Sequence, residues 1–236
     1  SSSVNNGIVN ETTSGALTIS ADGSWRYSVN NAEVQYLAVG ETLTDTFIVS
    51  SVDGSQHTIT ITVNGANDAP EISVGIGNSA SADLIETDAG LLASGTLSAA
   101  DVDLSDIDTA SVVAVDVNLN GTYDEQNLLN MLSVNAGAVI GASADVGTIA
   151  WGFDSGSQAF DILPEGVVLE LTYTVELKDL QGATDTQDVV ISITGTADPA
   201  VFTGGDTGEV KEDESVNAQG YLSVSDQMTG YDPDVG

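Results

Sequence analysis

Residues 167–177 alternate between apolar and polar. Val167, Leu169, Leu171, Tyr173, Val175 and Leu177 occupy one phase, and Glu170, Thr172, Thr174 and Glu176 the other. A period of two held over eleven residues is that of a β-strand with one face buried and one face wet. The same alternation recurs in Ile59, Ile61 and Val63 against Thr58, Thr60 and Thr62, and in Val189, Ile191 and Ile193 against Val190 and Ser192. Asp22-Gly23, Asp53-Gly54 and Gln181-Gly182 each separate two such stretches with turn chemistry. Many short strands at this spacing predict an all-β chain of tandem Ig/cadherin-like Greek-key β-sandwiches.

The strands also repeat. Residues 37–70, LAVGETLTDTFIVSSVDGSQHTITITVNGANDAP, align strand for strand with residues 163–200, LPEGVVLELTYTVELKDLQGATDTQDVVISITGTADPA. A second match pairs GEVKEDESVNAQGYLSVSD (208–226) with ADLIETDAGLLASGTLSAAD (82–101). Residues 67–198 therefore form one complete sandwich, 1–66 the end of a sandwich and 199–236 the opening strands of another. One domain is split between the two ends, and neither half alone covers its strand edges and apolar face.

Charge narrows the function. Thirty-six Asp and Glu against three Lys and Arg give a formal charge of −33, which repels nucleic-acid phosphates and anionic membrane surfaces and attracts cations. With 41% hydrophobic residues in regular alternation, the chain is expected to fold once its carboxylates are neutralised. Without cysteine, any staple beyond packing has to be an oxygen-ligated metal. No apolar run is long enough for a transmembrane helix, and the opening SSSVNNG has no signal-peptide character, so export requires a signal elsewhere.

The stretches ADGSWRYSVNN, LAVGETLTDTFIV and NGANDAP resemble the VCBS-type repeats of RTX adhesins exported by type I secretion. ETDAGLLASGTLSAADVD, FDSGSQAFDILPEG and DTQDVVISITGTADPA are similar to the cadherin-like repeats of the same proteins. The resemblance implies an extracellular, bacterial cell-surface location, calcium dependence and a stalk role. The family's Asp-x-Asp after the second strand is kept as Asp101 and Asp103, whereas Asp226 is followed by Met228, so a site there is weaker or differently built.

In a seven-strand sandwich the B–C and F–G loops return to the pole where strand A starts. Asp101 and Asp103 on the first loop and Asp179 and Asp185 on the second then meet linker residues Asn67 and Asp68, with Glu41 facing them from the preceding unit. Such a set repels itself unless a hard cation binds, and calcium takes six to eight oxygens. The bland reading is that Asp simply favours turns. Residues 116–127 follow the spacing of EF-hand-like loops, with Asp116, Asn118, Asn120 and Asp124 as ligands but Asn127 where a bidentate Glu belongs. An Asn-Gly hairpin turn explains the same residues equally well. At the opposite pole Asp198 meets Glu86 and Glu165, and the facing half-domains bring Asp226 and Asp53.

The missing half-domain is supplied by neighbouring copies in one of two ways. In a donor-strand filament, residues 199–236 add to residues 1–66 of the next chain. In a covalent array, the same domain forms along one longer polypeptide. Both remain open at this point. Catalysis has little support: His57 is read as a solvated position on the polar phase of the Thr58–Val63 strand, and no nucleophile motif occurs. Asp198-Pro199 and Asp232-Pro233 read as linker chemistry rather than self-cleavage sites. Trp25 and Tyr27, at i and i+2, are expected as core anchors. The sequence thus points to a calcium-stiffened structural repeat without enzymatic activity, the competing class being a carbohydrate- or cell-binding module.

Overall fold

The computed structural model describes residues 4–10, as backbone, together with 14–119 and 124–234. Among the described residues the regular structure is strand apart from one short helix and a 3-10 turn at Asn31–Glu33. Among the described residues no helix is long and apolar enough to cross a membrane.

The N-terminal unit contains β1 (Val4–Asn10), β2 (Ala16–Ile19), β3 (Trp25–Ser28), β4 (Thr42–Ser51) and β5 (Gln56–Asn64). Strands β1, β4 and β5 form one antiparallel sheet, and β2 and β3 form a hairpin. The Asp53 carboxylate accepts from the Ser51 hydroxyl and from Ser55 N (3.0 Å), closing the β4–β5 turn. Leu17, Phe47 and Val49 make a small core with Ile19, Tyr27, Ile59 and Ile61 around it. Tyr27 meets Phe47 edge-on at 6.0 Å, and its hydroxyl donates to the buried carboxylate of Asp45 (2.8 Å). Asp45 also accepts from Ser14 N and Gly15 N, which ties the loop before β2 to β4. Trp25 departs from expectation: it is 50% exposed, because β3 has no strand on its second edge among the described residues. His57 is exposed, but on the Ile59 side of β5 rather than on the threonine side expected of it.

The middle unit runs through β6 (Glu71–Ser73), β7 (Ser81–Ile85), β8 (Leu92–Ala100), β9 (Asp108–Val117), α1 (Glu125–Leu129), β10 (Leu132–Val134), β11 (Ala138–Ile140), β12 (Val146–Asp154), β13 (Val168–Lys178) and β14 (Thr184–Thr194). One sheet has the order β10-β12-β8-β6 and the other β11-β9-β13-β14-β7. This is a Greek-key sandwich whose first strand is divided: β6 pairs antiparallel with β8, while β7 crosses over to pair parallel with β14. The eleven-residue alternation becomes β13, with Leu169, Leu171, Tyr173, Val175 and Leu177 buried. They pack against Leu97, Ile149, Trp151 and Phe153 of the facing sheet. Two aromatic polar groups inside this core are satisfied by backbone carbonyls, Tyr173 Oη by Leu128 (3.0 Å) and Trp151 Nε1 by Ser79 (2.7 Å).

The two units share a plan. Residues 24–40 and 150–166 correspond position for position, with Trp25 matching Trp151, Tyr27 Phe153, Val34 Phe160 and Leu37 Leu163. Gly65 N bonds Glu41 O, and its counterpart Gly195 N bonds Val167 O. By this correspondence β1 to β5 are the third to seventh strands of a sandwich. At the other end, β15 (Val201–Gly204) and β16 (Met228–Tyr231) form an exposed antiparallel pair, and residues 205–227 between them carry no strand.

Candidate metal centres

The short B–C connection after β8 reads Asp-Val-Asp-Leu-Ser-Asp-Ile-Asp, and it places four carboxylates at the N-terminal pole of the middle unit. Asp101, Asp103, Asp106 and Asp108 are all buried there, as is Asp179 from the β13–β14 loop. Oxygens of Asp101, Asp106 and Asp179 lie within 4.8 Å of one another. The linker closes over them: Asp68 N donates to Asp103 Oδ2 (2.9 Å) and Asn67 Nδ2 to Asp179 Oδ2 (2.8 Å). Gln35 of the N-terminal unit donates to Asp68 (3.1 Å), and Glu41 adds its negative potential to Asp106. The structure places Asn67, Asp68, Asp101, Asp103 and Asp179 at one pole, whereas Glu41 accepts from Ala38 N (3.1 Å) and reaches Asp106 only through its charge.

Asp185 is different. It lies on β14 and accepts from Ile72 N (2.7 Å), so its carboxylate pins β6. Asp106 and Asp108 lie outside the single Asp-x-Asp of the sequence expectation, although the same spacing recurs at once as Asp106-Ile107-Asp108.

No positive charge answers this cluster. The one ion pair among the described residues joins Lys211 to Glu214, both exposed. Two ionised carboxylates at 4.8 Å repel by about 3.5 kcal/mol at an effective dielectric near 20. Burial first, then mutual repulsion, raises Asp101, Asp103 and Asp106 above the ordinary carboxylate range. The same causes push Asp108, which is 0% exposed and has no partner on either oxygen, up to about 7.

The opposite pole repeats the arrangement with different residues. Glu86, 2% exposed, accepts through Oε1 from Thr196 N and Thr196 Oγ1 (both 2.7 Å). Its group closes with Asp161 and Asp198, again within 4.8 Å. Asp198 N donates to Asp234 Oδ2 (2.9 Å), and Asp234 N to Asp232 Oδ1 (3.2 Å). These two bonds copy Asp68 N to Asp103 and Asp103 N to Asp101 (2.8 Å), so Asp232-Pro233-Asp234 takes the part of Asp101-Val102-Asp103. Asp226, expected there, instead accepts from its neighbour Gln227 N. Glu165 is exposed and outside the group. Asp53 serves its own turn. Asp161 matches Gln35, and that correspondence was the missed signal.

The EF-hand-like loop does not gather a cage among its described residues. Asn118 is spent on β13, accepting from Glu170 N (2.8 Å) and donating to Val168 O (3.2 Å). Asp124 caps α1 through Asn127 N (3.2 Å), and Asp116 sits within β9 opposite Thr172. Asn120 lies outside the described residues.

Buried side-chain polar atoms without a partner, among the described residues, fall only in the two poles: Asn67, Asp101, Asp103, Asp106 and both oxygens of Asp108 at one, and Glu86, Asp161, Asp198 and Asp234 at the other. All are oxygens, a hard donor set that suits calcium or magnesium and no softer metal.

No family model matches the sequence, and no curated protein matches it either. Among solved structures the chain is similar to the protocadherin gammaB4 extracellular domain at 14% identity and a TM-score of 0.38, over 97% of this chain and 34% of that one. It is similar to Drosophila N-cadherin EC1-4 at 15% identity and a TM-score of 0.38, over 83% of this chain and 43% of that one. It is also similar to the CooA pilin subunit from enterotoxigenic Escherichia coli at 12% identity and a TM-score of 0.30, over 56% of this chain and all of that one. The chain thus spans less than half the length of these two cadherin structures. Likenesses this loose assign no family.

Proposed function

We propose that the chain is a calcium-stiffened structural repeat of an extracellular bacterial adhesin stalk or filament. The observation that carries this reading is the confinement of the unpartnered buried oxygens to the two poles where one unit hands over to the next. Buried, mutually repelling carboxylates must either take up protons or destabilise the fold, and a cation that gathers them removes that cost. Calcium fits better than magnesium because six to eight protein oxygens suit its coordination, whereas magnesium keeps its water. Each ion would bridge linker and loops, holding Asp68 to Asp103 and Asp198 to Asp234 and so fixing the angle between successive units. The net charge of −33 argues against nucleic acid and membrane as partners.

The alternative, a carbohydrate- or cell-binding module, has one observation in its favour: the half-exposed Trp25 beside Ile19, Val49, His57 and Ile59. Melting with calcium and with chelator separates the two, since a ligand held only by the folded form at a thousand times its Kd adds about 4 kcal/mol. Unchanged melting and unchanged length in solution scattering sink the stalk reading. Saturable glycan binding abolished by Trp25→Ala supports the other.

A further inference from the structure

We propose that the open side of the N-terminal unit takes residues 208–226 of a second copy of the chain, and that Glu212 of that copy completes the first metal cluster. This rests on the reading of the chain as a repeat unit with metal at its poles.

In the middle unit β12 carries β8 on one edge, and β14 carries β7. In the N-terminal unit the matching strands, β3 and β5, are free on those edges among the described residues. The consequence is visible in burial. Val189, Ile191 and Ile193 of β14 are fully buried, whereas Ile59, Ile61 and Val63 of β5 are half-exposed. Trp151 is 2% exposed and its counterpart Trp25 is 50% exposed.

The segment that matches β7 and β8 is present in the chain but joins no ladder among the described residues. Residues 208–226 align with 82–101, yet where 82–101 form two strands, 208–226 form none. Val210, Val216, Tyr221 and Val224 stand exposed. The unused strands and the unused edges are complementary.

The sequence alignment sets the register, because β16, which pairs with β15 as β8 does with β6, lies six residues beyond it and stays outside the added strand. In the middle unit Trp151 lies opposite Gly95, and a Cβ at Gly95 would collide with the indole ring. The aligned pair is Trp25 with Gly220. Parallel addition to β5, following Ile191 opposite Ala82, sets Gly208 opposite Ile61 and Val210 opposite Val63. The turn after this strand then delivers Glu212 at the position of Glu86, which bonds Thr196 N beside Asp198. The matching linker is Ala66-Asn67-Asp68, so Glu212 arrives at the cluster of Asp68, Asp101 and Asp103. The contact is head-to-tail and does not close on itself.

The test is sedimentation of the full chain with calcium across a dilution series, with Trp25 emission read against the buried Trp151. Mass should grow with concentration while emission shifts to the blue. Excess peptide of residues 205–227 should return the mass to that of one chain and keep the blue shift. Gly220→Val, and separately the double change Leu222→Asp with Val224→Asp, should weaken assembly about a hundredfold or more, since strand burial is lost. Both variants should still accept the peptide, because their acceptor face is intact. Glu212→Gln should assemble with its calcium dependence reduced about tenfold. A chain that stays single at every concentration, or assembly untouched by Gly220→Val and by peptide, would overturn the docking. Unaltered calcium dependence in Glu212→Gln would overturn the shared site. Calcium that fails to raise the melting of Gly220→Val defeats the metal reading alone, because that variant keeps its middle unit whole.

Discussion

Replacing Asp108 by Asn removes one charge from the most enclosed carboxylate of the first pole with almost no change in volume. Asp108 titrates near 7 instead of 3.8 in the metal-free fold. Between those values the folded chain holds a proton that the unfolded chain has released, so this group's contribution to metal-free stability is full below about 3.8 and is lost progressively as pH rises to about 7. At about pH 8 an ionised Asp108 costs the fold on the order of 2–4 kcal/mol, the lower figure allowing for solvent screening at the pole. Asp108→Asn should therefore raise the metal-free melting temperature by roughly 10 °C at about pH 8 and leave it nearly unchanged at about pH 4. With calcium the order reverses, because the variant has lost a ligand charge and gains less from the ion. The assay is thermal denaturation with chelator and with calcium at both pH values. Trp25→Phe in the background leaves Trp151, in the middle core, as the sole tryptophan reporter. An Asp108→Asn chain that is less stable than the parent without metal at about pH 8, or that keeps the full calcium increment, refutes the reasoning.

Glu86→Gln keeps the acceptor for Thr196 but removes a charge from the second pole, so calorimetric titration should lose the second pole's calcium while the first pole's remains. Gly95→Val should destabilise the middle unit by about 1–3 kcal/mol in chemical denaturation, since its side chain invades the Trp151 ring. Asp45→Ala strips Tyr27 Oη, Ser14 N and Gly15 N of their shared acceptor and should cost the N-terminal unit about 2–3 kcal/mol, while Trp151 emission reports an unaltered middle unit.

What the sequence disclosed was whatever a local period or an internal repeat encodes. The alternation at Val167–Leu177 is β13, and loop counting alone put Asp101, Asp103 and Asp179 at one pole with Asn67 and Asp68. What it hid depends on geometry that no period carries. Asp106 and Asp108 look like ordinary loop acids until the B–C connection folds them inward. Asp234 displaces Asp226 because β16 lies six residues further along than the alignment implies, carrying the acidic pair past the end of the ladder. Asn118 and Asp124 fit a calcium-loop spacing, but an asparagine with a strand edge in reach and an aspartate before a helix have nearer partners in the backbone. Trp25 is a core position by its sequence pattern, yet among the described residues no strand covers its edge.

The crossover of the first strand determines how the middle unit responds to being stretched. Its two ends leave through opposite poles, and the final contact between them is the parallel pairing of Ser81–Ile85 with Val190–Thr194. A pull along the chain draws β7 toward one pole and β14 toward the other, so the bonds of that ladder slide against one another and must break together. A hairpin pulled from its open end would surrender them one at a time. The same five residue pairs that close the sandwich therefore set the force at which it yields.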